Sequence, residues 1–141
     1  LKRINDQHGH PVGDAVLAGV VRHLDLHLRT HDKVFRYGGD EFLLALSGTD
    51  LTTAHEVVSR VRLGLAGRFL ITGPEGSAMQ VTASFGLALL DPDEDVSESI
   101  GRADQALLLA KTAGRNRAVA WDASVATGTR WRLIDVSERS E

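Results

Sequence analysis

Two strand-like runs lie on either side of a pair of consecutive glycines: Lys33 to Tyr37, which carries Val34 and Phe35, and Glu41-Phe42-Leu43-Leu44-Ala45-Leu46. Glycine adopts the backbone angles of a tight reversal without steric cost, so Gly38-Gly39 between such runs is a strong local signal for a β-hairpin. The second run is apolar nearly throughout, as a strand buried on both faces is.

The remaining periodicities supply helices and a second hairpin. Leu17, Val20, Val21, Leu24 and Leu28 recur at the i, i+3, i+4, i+7, i+11 spacing of one amphipathic face, entered through Pro11 and Gly13 and lying before Asp32. Thr53-Ala54-His55-Glu56 has the form of a capping box, after which Ala54, Val57, Val58, Val61 and Leu65 keep helical period up to Gly67. Phe69 to Thr72 and Met79 to Leu90 read as strands joined through Gly73-Pro74-Glu75-Gly76. Asp95-Val96-Ser97-Glu98 offers another cap. Ile100, Ala103, Leu107 and Ala110 then line a third helix, and Gly114 stands where a helix C′ glycine belongs. Arg117 to Trp121 reads as a final strand.

The resulting order, α-β-β-α-β-β-α-β, predicts an α+β domain of the ferredoxin-like βαββαβ type, with helices packed on a mostly antiparallel sheet. One element is missing, because a helix that opens the chain needs a strand before it. Residues 1–120 are expected to form this N-terminally incomplete domain, and 121–141 a C-terminal tail or linker. At 141 residues there is room for one domain of roughly 150 residues and no second.

Sixteen Lys and Arg against nineteen Asp and Glu give a net charge of −3, which excludes a coat protein for nucleic acid. With no cysteine, disulfides, thiolate zinc sites, iron–sulfur clusters and thiol nucleophiles are ruled out, and a cytoplasmic location is expected. The longest apolar stretches fall far short of the ~18 residues that a membrane span needs. The start, Leu1-Lys2-Arg3-Ile4-Asn5-Asp6, lacks an initiator Met and signal-peptide regions, so the chain reads as a piece of a longer protein.

Chemistry concentrates at Gly38-Gly39-Asp40-Glu41-Phe42. Glycines without Cβ let a turn approach a ligand closely, and adjacent carboxylates at a hairpin tip can hold a divalent cation through oxygen, so phosphate with Mg²⁺ is the natural ligand. Alone, the motif is equally ordinary hairpin chemistry. His23, His27 and His31, at i, i+4 and i+8 on the first helix, read as a solvated polar face rather than a metal stripe.

From Leu1 to about Val119 the chain resembles the GGDEF domain of diguanylate cyclases, with matching blocks in matching order. They are Leu1 to Asp6, Gly9-His10, Gly13-Asp14, Arg29-Thr30-His31-Asp32, Arg36-Tyr37-Gly38-Gly39-Asp40-Glu41-Phe42, Val81-Thr82-Ala83-Ser84-Phe85-Gly86, Ala103 to Leu107 and Ala110 to Arg117. The resemblance implies a palm-type domain that binds one GTP per copy. Two copies face each other as a homodimer and condense two GTP into cyclic di-GMP and two pyrophosphates.

Carried over, Asp40 and Glu41 are catalytic carboxylates and ligands of Mg²⁺ (or Mn²⁺), and Gly38 and Gly39 let the turn lie against the phosphates. Asn5 and Asp14 match the guanine-reading pair, in keeping with a carboxylate's ability to accept from guanine N1–H and the 2-amino group. Lys111 and Arg115 match the β- and γ-phosphate contacts, and His10 an orienting position near the nucleotide. Arg29 and Asp32 reproduce an RxxD pair, with Arg60 a further arginine, of an inhibitory site for cyclic di-GMP, where guanidinium groups grip phosphate and stack on purine. An upstream sensor domain is implied in the parent protein.

The chain departs from the family in three places. Leu1 and Leu108 stand where the family usually has Phe and often has Tyr, which are volume-tolerant changes. The strand preceding Leu1, with its metal-binding Asp-x-Asp-like segment, is absent. Upstream residues, a partner's edge, or Arg130-Trp131-Arg132-Leu133-Ile134-Asp135-Val136 folding back as a substitute strand would fill the gap; in the last case Asp135 would lie near Asp40. A domain of another class, a catalytically degenerate module that binds GTP or cyclic di-GMP and signals to a partner, is the alternative to the enzyme.

Overall fold

In the computed structural model, residues 10–67, 69–72, 78–121 and 130–138 are described. The elements run α1 (His10–His27), β1 (Lys33–Arg36), β2 (Glu41–Leu46), α2 (Leu51–Ala66), β3 (Phe69–Thr72), β4 (Ala78–Leu89), α3 (Val96–Thr112), β5 (Ala118–Ala120) and β6 (Arg130–Glu138). Strands pair in the order β1-β2-β6-β4-β3, and β5 joins β4. Every pairing is antiparallel except β4 with β5.

The expected α+β architecture is present, and β2 explains its layering. Its side chains alternate across the sheet, so Phe42, Leu44 and Leu46 pack with Val16, Val20 and Leu24 of α1 and Val58, Val61 and Leu65 of α2. On the other face Leu43 joins Ala88 of β4 and Ala103 and Leu107 of α3. Each fully buried Leu, Val or Phe contributes roughly 1.5–3 kcal/mol, so a strand clothed on both sides anchors both layers. α3 comes closest at Gly86, where a Cβ would stand 2.0 Å from the Ala103 carbonyl oxygen and 2.4 Å from the Leu107 nitrogen. Only a residue without a side chain permits that approach.

Two local expectations are corrected. α2 starts earlier than the Thr53 capping box implied: Asp50 is the N-cap, and its side chain accepts from the Thr53 N–H at 2.7 Å. A carboxylate both satisfies an orphan N–H and suits the positive end of the helix dipole. His23 is not on a solvated face. It is 4% exposed and donates from Nε2 to the Val61 carbonyl at 3.0 Å, joining α1 to α2, while His27 donates from Nδ1 back to the His23 carbonyl.

The larger correction concerns residues 121–141. Within the stretch read as a tail, β6 is the central strand, pairing with β2 from Arg130 to Asp135 and with β4 along its whole length. The place between β2 and β4 is held by this segment, the substitute strand among the expectations above. β6 is antiparallel to β2, hence parallel to β1, which is the direction a strand leading into α1 would take. The reach is modest. Trp121 donates to the Leu87 carbonyl on one edge of β4, and Arg130 pairs with Leu89 on the other. The two points lie two strand spacings, about 10 Å, apart. Among the described residues no helix is long and apolar enough to cross a membrane.

Candidate functional site

The β1–β2 hairpin closes with Tyr37 and Gly38 both donating to the Glu41 carbonyl, at 2.8 and 3.2 Å. Arg36 folds over the turn and donates from Nε to the Gly38 carbonyl and from Nη2 to that of Gly39, at 3.3 and 2.6 Å. Neither glycine has a positive φ, and a Cβ on Gly39 would meet nothing within 4 Å. The chain therefore gains open space in front of the turn rather than a special backbone angle. Tyr37, Gly38 and Gly39 are exposed, and Asp40 and Glu41 half-buried.

Across from the tip, the last turn of α3 presents Lys111, whose Nζ lies 3.5 Å from Glu41 Oε1. The close seat of α3 on Gly86 is what brings this cation to the hairpin from 70 residues away. A long ion pair with both side chains about a quarter exposed contributes at most about 1 kcal/mol, so a charged ligand can replace it cheaply.

Arg115 is set by its backbone. Gly114, Arg115 and Asn116 have φ of 119°, 62° and 48° in succession. Glycine takes the first readily, but a non-glycine residue so placed costs on the order of 1–3 kcal/mol and persists only where its surroundings fix it. Here Arg115 N–H donates to Ala110, Asn116 N–H to Ser84 Oγ at 3.1 Å, and Arg117 Nε to the Arg115 carbonyl. Arg62 of α2, a residue that sequence reasoning missed, donates from Nη1 to both the carbonyl and the Oδ1 of Asn116 at 3.2 Å.

β6 enters this neighbourhood by register. Asp135 pairs with Glu41 on one side and Ser84 on the other, so one row crosses the sheet from the acidic hairpin to the tether of the Asn116 turn. Among the described residues no three His, Asp or Glu side chains are gathered as a ready metal cage. The two hairpin carboxylates nonetheless suit Mg²⁺, which commonly takes one or two carboxylates together with substrate phosphate and water.

A cleft of about 840 Å³ between α1 and β1 is lined by Asp14, Leu17, Arg29, Asp32, Arg36 and Phe42, among others. It brings Asp14, expected to read guanine, into one cavity with the RxxD pair. Arg29 and Asp32 form an ion pair at 3.4 Å, with the Asp32 side chain buried beneath the arginine and its carboxylate also receiving the N–H groups of Arg29 and Ser47. Arg29 Nη2 in turn donates to the Ser47 carbonyl and to Thr49 Oγ1, at 2.5 and 2.9 Å. Arg60 is exposed on α2, and among the described residues no hydrogen bond or ion pair links it to Arg29 or Asp32. Asn5 lies outside the described residues, and of His10 only the backbone, at the first position of α1, is described.

A family model described as diguanylate cyclase, GGDEF domain, matches residues 1–117. Diguanylate cyclase DgcM of Escherichia coli (strain K12) is 40% identical over 120 residues, covering 85% of this chain and 28% of that protein. The chain thus spans little more than a quarter of that curated relative. Among solved structures, the GGDEF domain of DgcB from Caulobacter crescentus, in complex with c-di-GMP, matches with a TM-score of 0.80 at 28% identity over 86% of this chain and 72% of that one. Diguanylate cyclase SiaD of Pseudomonas aeruginosa, in complex with its activator SiaC, matches with a TM-score of 0.78 at 39% identity over 84% of this chain and 45% of that one.

Proposed function

The chain belongs to the GGDEF domain family of diguanylate cyclases, and on that premise we propose that it condenses two GTP into cyclic di-GMP with release of two pyrophosphates. Each 3′-hydroxyl forms a bond to the α-phosphorus of the other nucleotide, pyrophosphate leaves from that phosphorus, and the hydroxyl proton goes to a base. The single observation that carries this reading is the convergence of Lys111 on Glu41 at the glycine-lined hairpin tip, a cation beside carboxylates with open space in front of them.

In this reading Asp14 and Asn5 bind the guanine edge, with Asp14 accepting from the N1–H and 2-amino donors that adenine does not offer. Lys111 and Arg115 hold the β- and γ-phosphates, and Gly38 and Gly39 admit them to the turn. His10 orients the nucleotide. Asp40 and Glu41 hold Mg²⁺ or Mn²⁺, with Asp135 of β6 as the carboxylate that the family's first strand otherwise supplies. The metal, when bound, stabilises charge on the attacking and leaving oxygens. Asp40 also receives the proton of the 3′-hydroxyl.

Two copies face each other, since one domain binds one GTP. Cyclic di-GMP inhibits at Arg29, Asp32 and Arg60, and an upstream sensor domain in a cytoplasmic parent protein sets the pairing. Incubation with GTP and Mg²⁺, followed by nucleotide separation, tests the reading: cyclic di-GMP forms in the parent and not in Asp40→Asn, which still binds GTP. Binding without any cyclic product would establish the signalling module instead.

A further inference from the structure

The turn that carries Arg115 is held from α2, on the other side of the sheet from α3. Arg62 lies on α2, across the sheet edge from α3, and its Nη1 hydrogen bonds to both oxygens of Asn116 fix the second non-glycine residue of positive φ. The Asn116 N–H is fixed by Ser84, itself 1% exposed on β4. Arg62 is half-buried, and its Nε is buried with no hydrogen-bond partner among the described residues. A guanidinium kept in a buried place with one N–H unsatisfied is a poor stabiliser, because the unmade bond offsets much of what the made ones contribute. Its geometry is instead that of a clamp: two donated bonds to one residue define the rotation of the turn.

We infer that Arg62 is a positioning residue that acts through Asn116 to hold Arg115 where it meets a nucleotide's phosphates. The inference rests on the phosphate role proposed above for Arg115. Without the clamp the αL backbone at Asn116 is no longer over-determined and the turn samples other angles, so the Arg115 guanidinium is presented only part of the time. The guanine contacts of Asp14, on α1, are untouched.

The test is a double-mutant cycle read by calorimetry with 3′-deoxy-GTP and Mg²⁺, a nucleotide that binds but has no hydroxyl to react. Arg62→Gln weakens binding by about tenfold in the parent background, the scale of one charge-assisted contact, and adds nothing in Arg115→Ala. Guanosine, which carries no phosphate, binds Arg62→Gln and the parent equally. Equal losses in both backgrounds, or a matching loss with guanosine, would mean that Arg62 merely supports the fold and would overturn the inference. So would unchanged 3′-deoxy-GTP binding in Arg62→Gln. If Arg115→Ala itself binds like the parent, the phosphate role of Arg115 has failed and the positioning role falls with it. Arg62→Lys, which keeps the charge but cannot donate along two fixed directions, gives the same cycle with a smaller loss and replaces the Gln variant should that one not fold.

Discussion

β2 and β6 lie side by side in the middle of one sheet, yet they are made in different ways. β2 follows a turn of its own hairpin, is apolar from Phe42 to Leu46, and is buried on both faces by residues whose positions follow from strand alternation. β6 arrives from beyond Trp121 with Arg130, Arg132, Asp135 and Glu138 among its nine residues. Its place is set by two neighbours distant in sequence. The pair teaches that a central strand can be specified by an edge that waits for it: β2 and β4 present matched ladders of unpaired N–H and C=O groups, and a segment with the β-prone residues Trp131, Leu133, Ile134 and Val136 fills the opening.

Removing residues 122–141 is the harshest way to break this comparison. Both inner ladders would lose their partner, a cost expected to exceed a domain's margin of ~5–15 kcal/mol, so the truncated chain should show no cooperative thermal transition by circular dichroism. A retained transition would make β6 an ornament on a sheet that stands without it.

Exchange of single carboxylates asks whether the strands share the chemistry as they share hydrogen bonds. Asp40→Asn or Glu41→Gln should abolish turnover, and Asp135→Asn should lower it by about 10²-fold or more, the scale of losing one preorganised electrostatic contact, with a higher Mg²⁺ concentration needed for half-maximal rate. An Asp135→Asn enzyme with parental rate and Mg²⁺ dependence would leave β2 as the sole chemical strand and β6 as structure alone.

Gly86→Ala probes the row that runs from Leu43 through Leu133 to Gly86. Its Cβ would collide with backbone of α3, and since backbone yields less than a side chain end, we expect a loss of about 3 kcal/mol or more in denaturant unfolding. α3 would also be lifted from the sheet, so Lys111 should follow and GTP affinity fall with stability. The smallest effect is expected off the sheet, at the exposed turn after α1. Arg29→Ala removes bonds to Ser47 and Thr49 at a half-exposed site and should cost about 1 kcal/mol. Its initial rate should match the parent while inhibition by accumulating product weakens. Superimposable inhibition curves would remove Arg29 from that role.

Much of this was legible because the determinants are local. The glycine pair, the apolar run of β2, the heptad-like spacing of α1 and Gly114 with its φ of 119° all act within a few residues, and the hairpins and helices fall where the periodicities put them. Asp50 and Thr53 are both good caps, and composition alone does not say which one the chain uses; the carboxylate does. His23 has the spacing of a polar stripe, but its partner is the Val61 carbonyl, on another helix. Arg62 looks like any helix arginine until the fold brings Asn116 to it, and β6 has no hairpin partner in sequence. Asp40, Glu41 and Lys111 were legible as a set through their family pattern, whereas the shared cleft of Asp14 and Arg29 emerges only when α1 and β1 are laid together.

The position of β6 also fixes when this protein can fold during its own synthesis. A chain emerges from the ribosome amino end first, so β1, β2 and β4 are all outside before the strand that joins them has been translated. Until Glu138 has cleared the exit tunnel, the nascent domain consists of two hairpin-bearing halves whose inner edges face an empty lane. Such edges pair with whatever strand comes by, and at about 5–20 residues per second that exposure lasts for seconds. Folding of this sheet is therefore held back until β6 has emerged, and the interval before that is when a chaperone has most to shield.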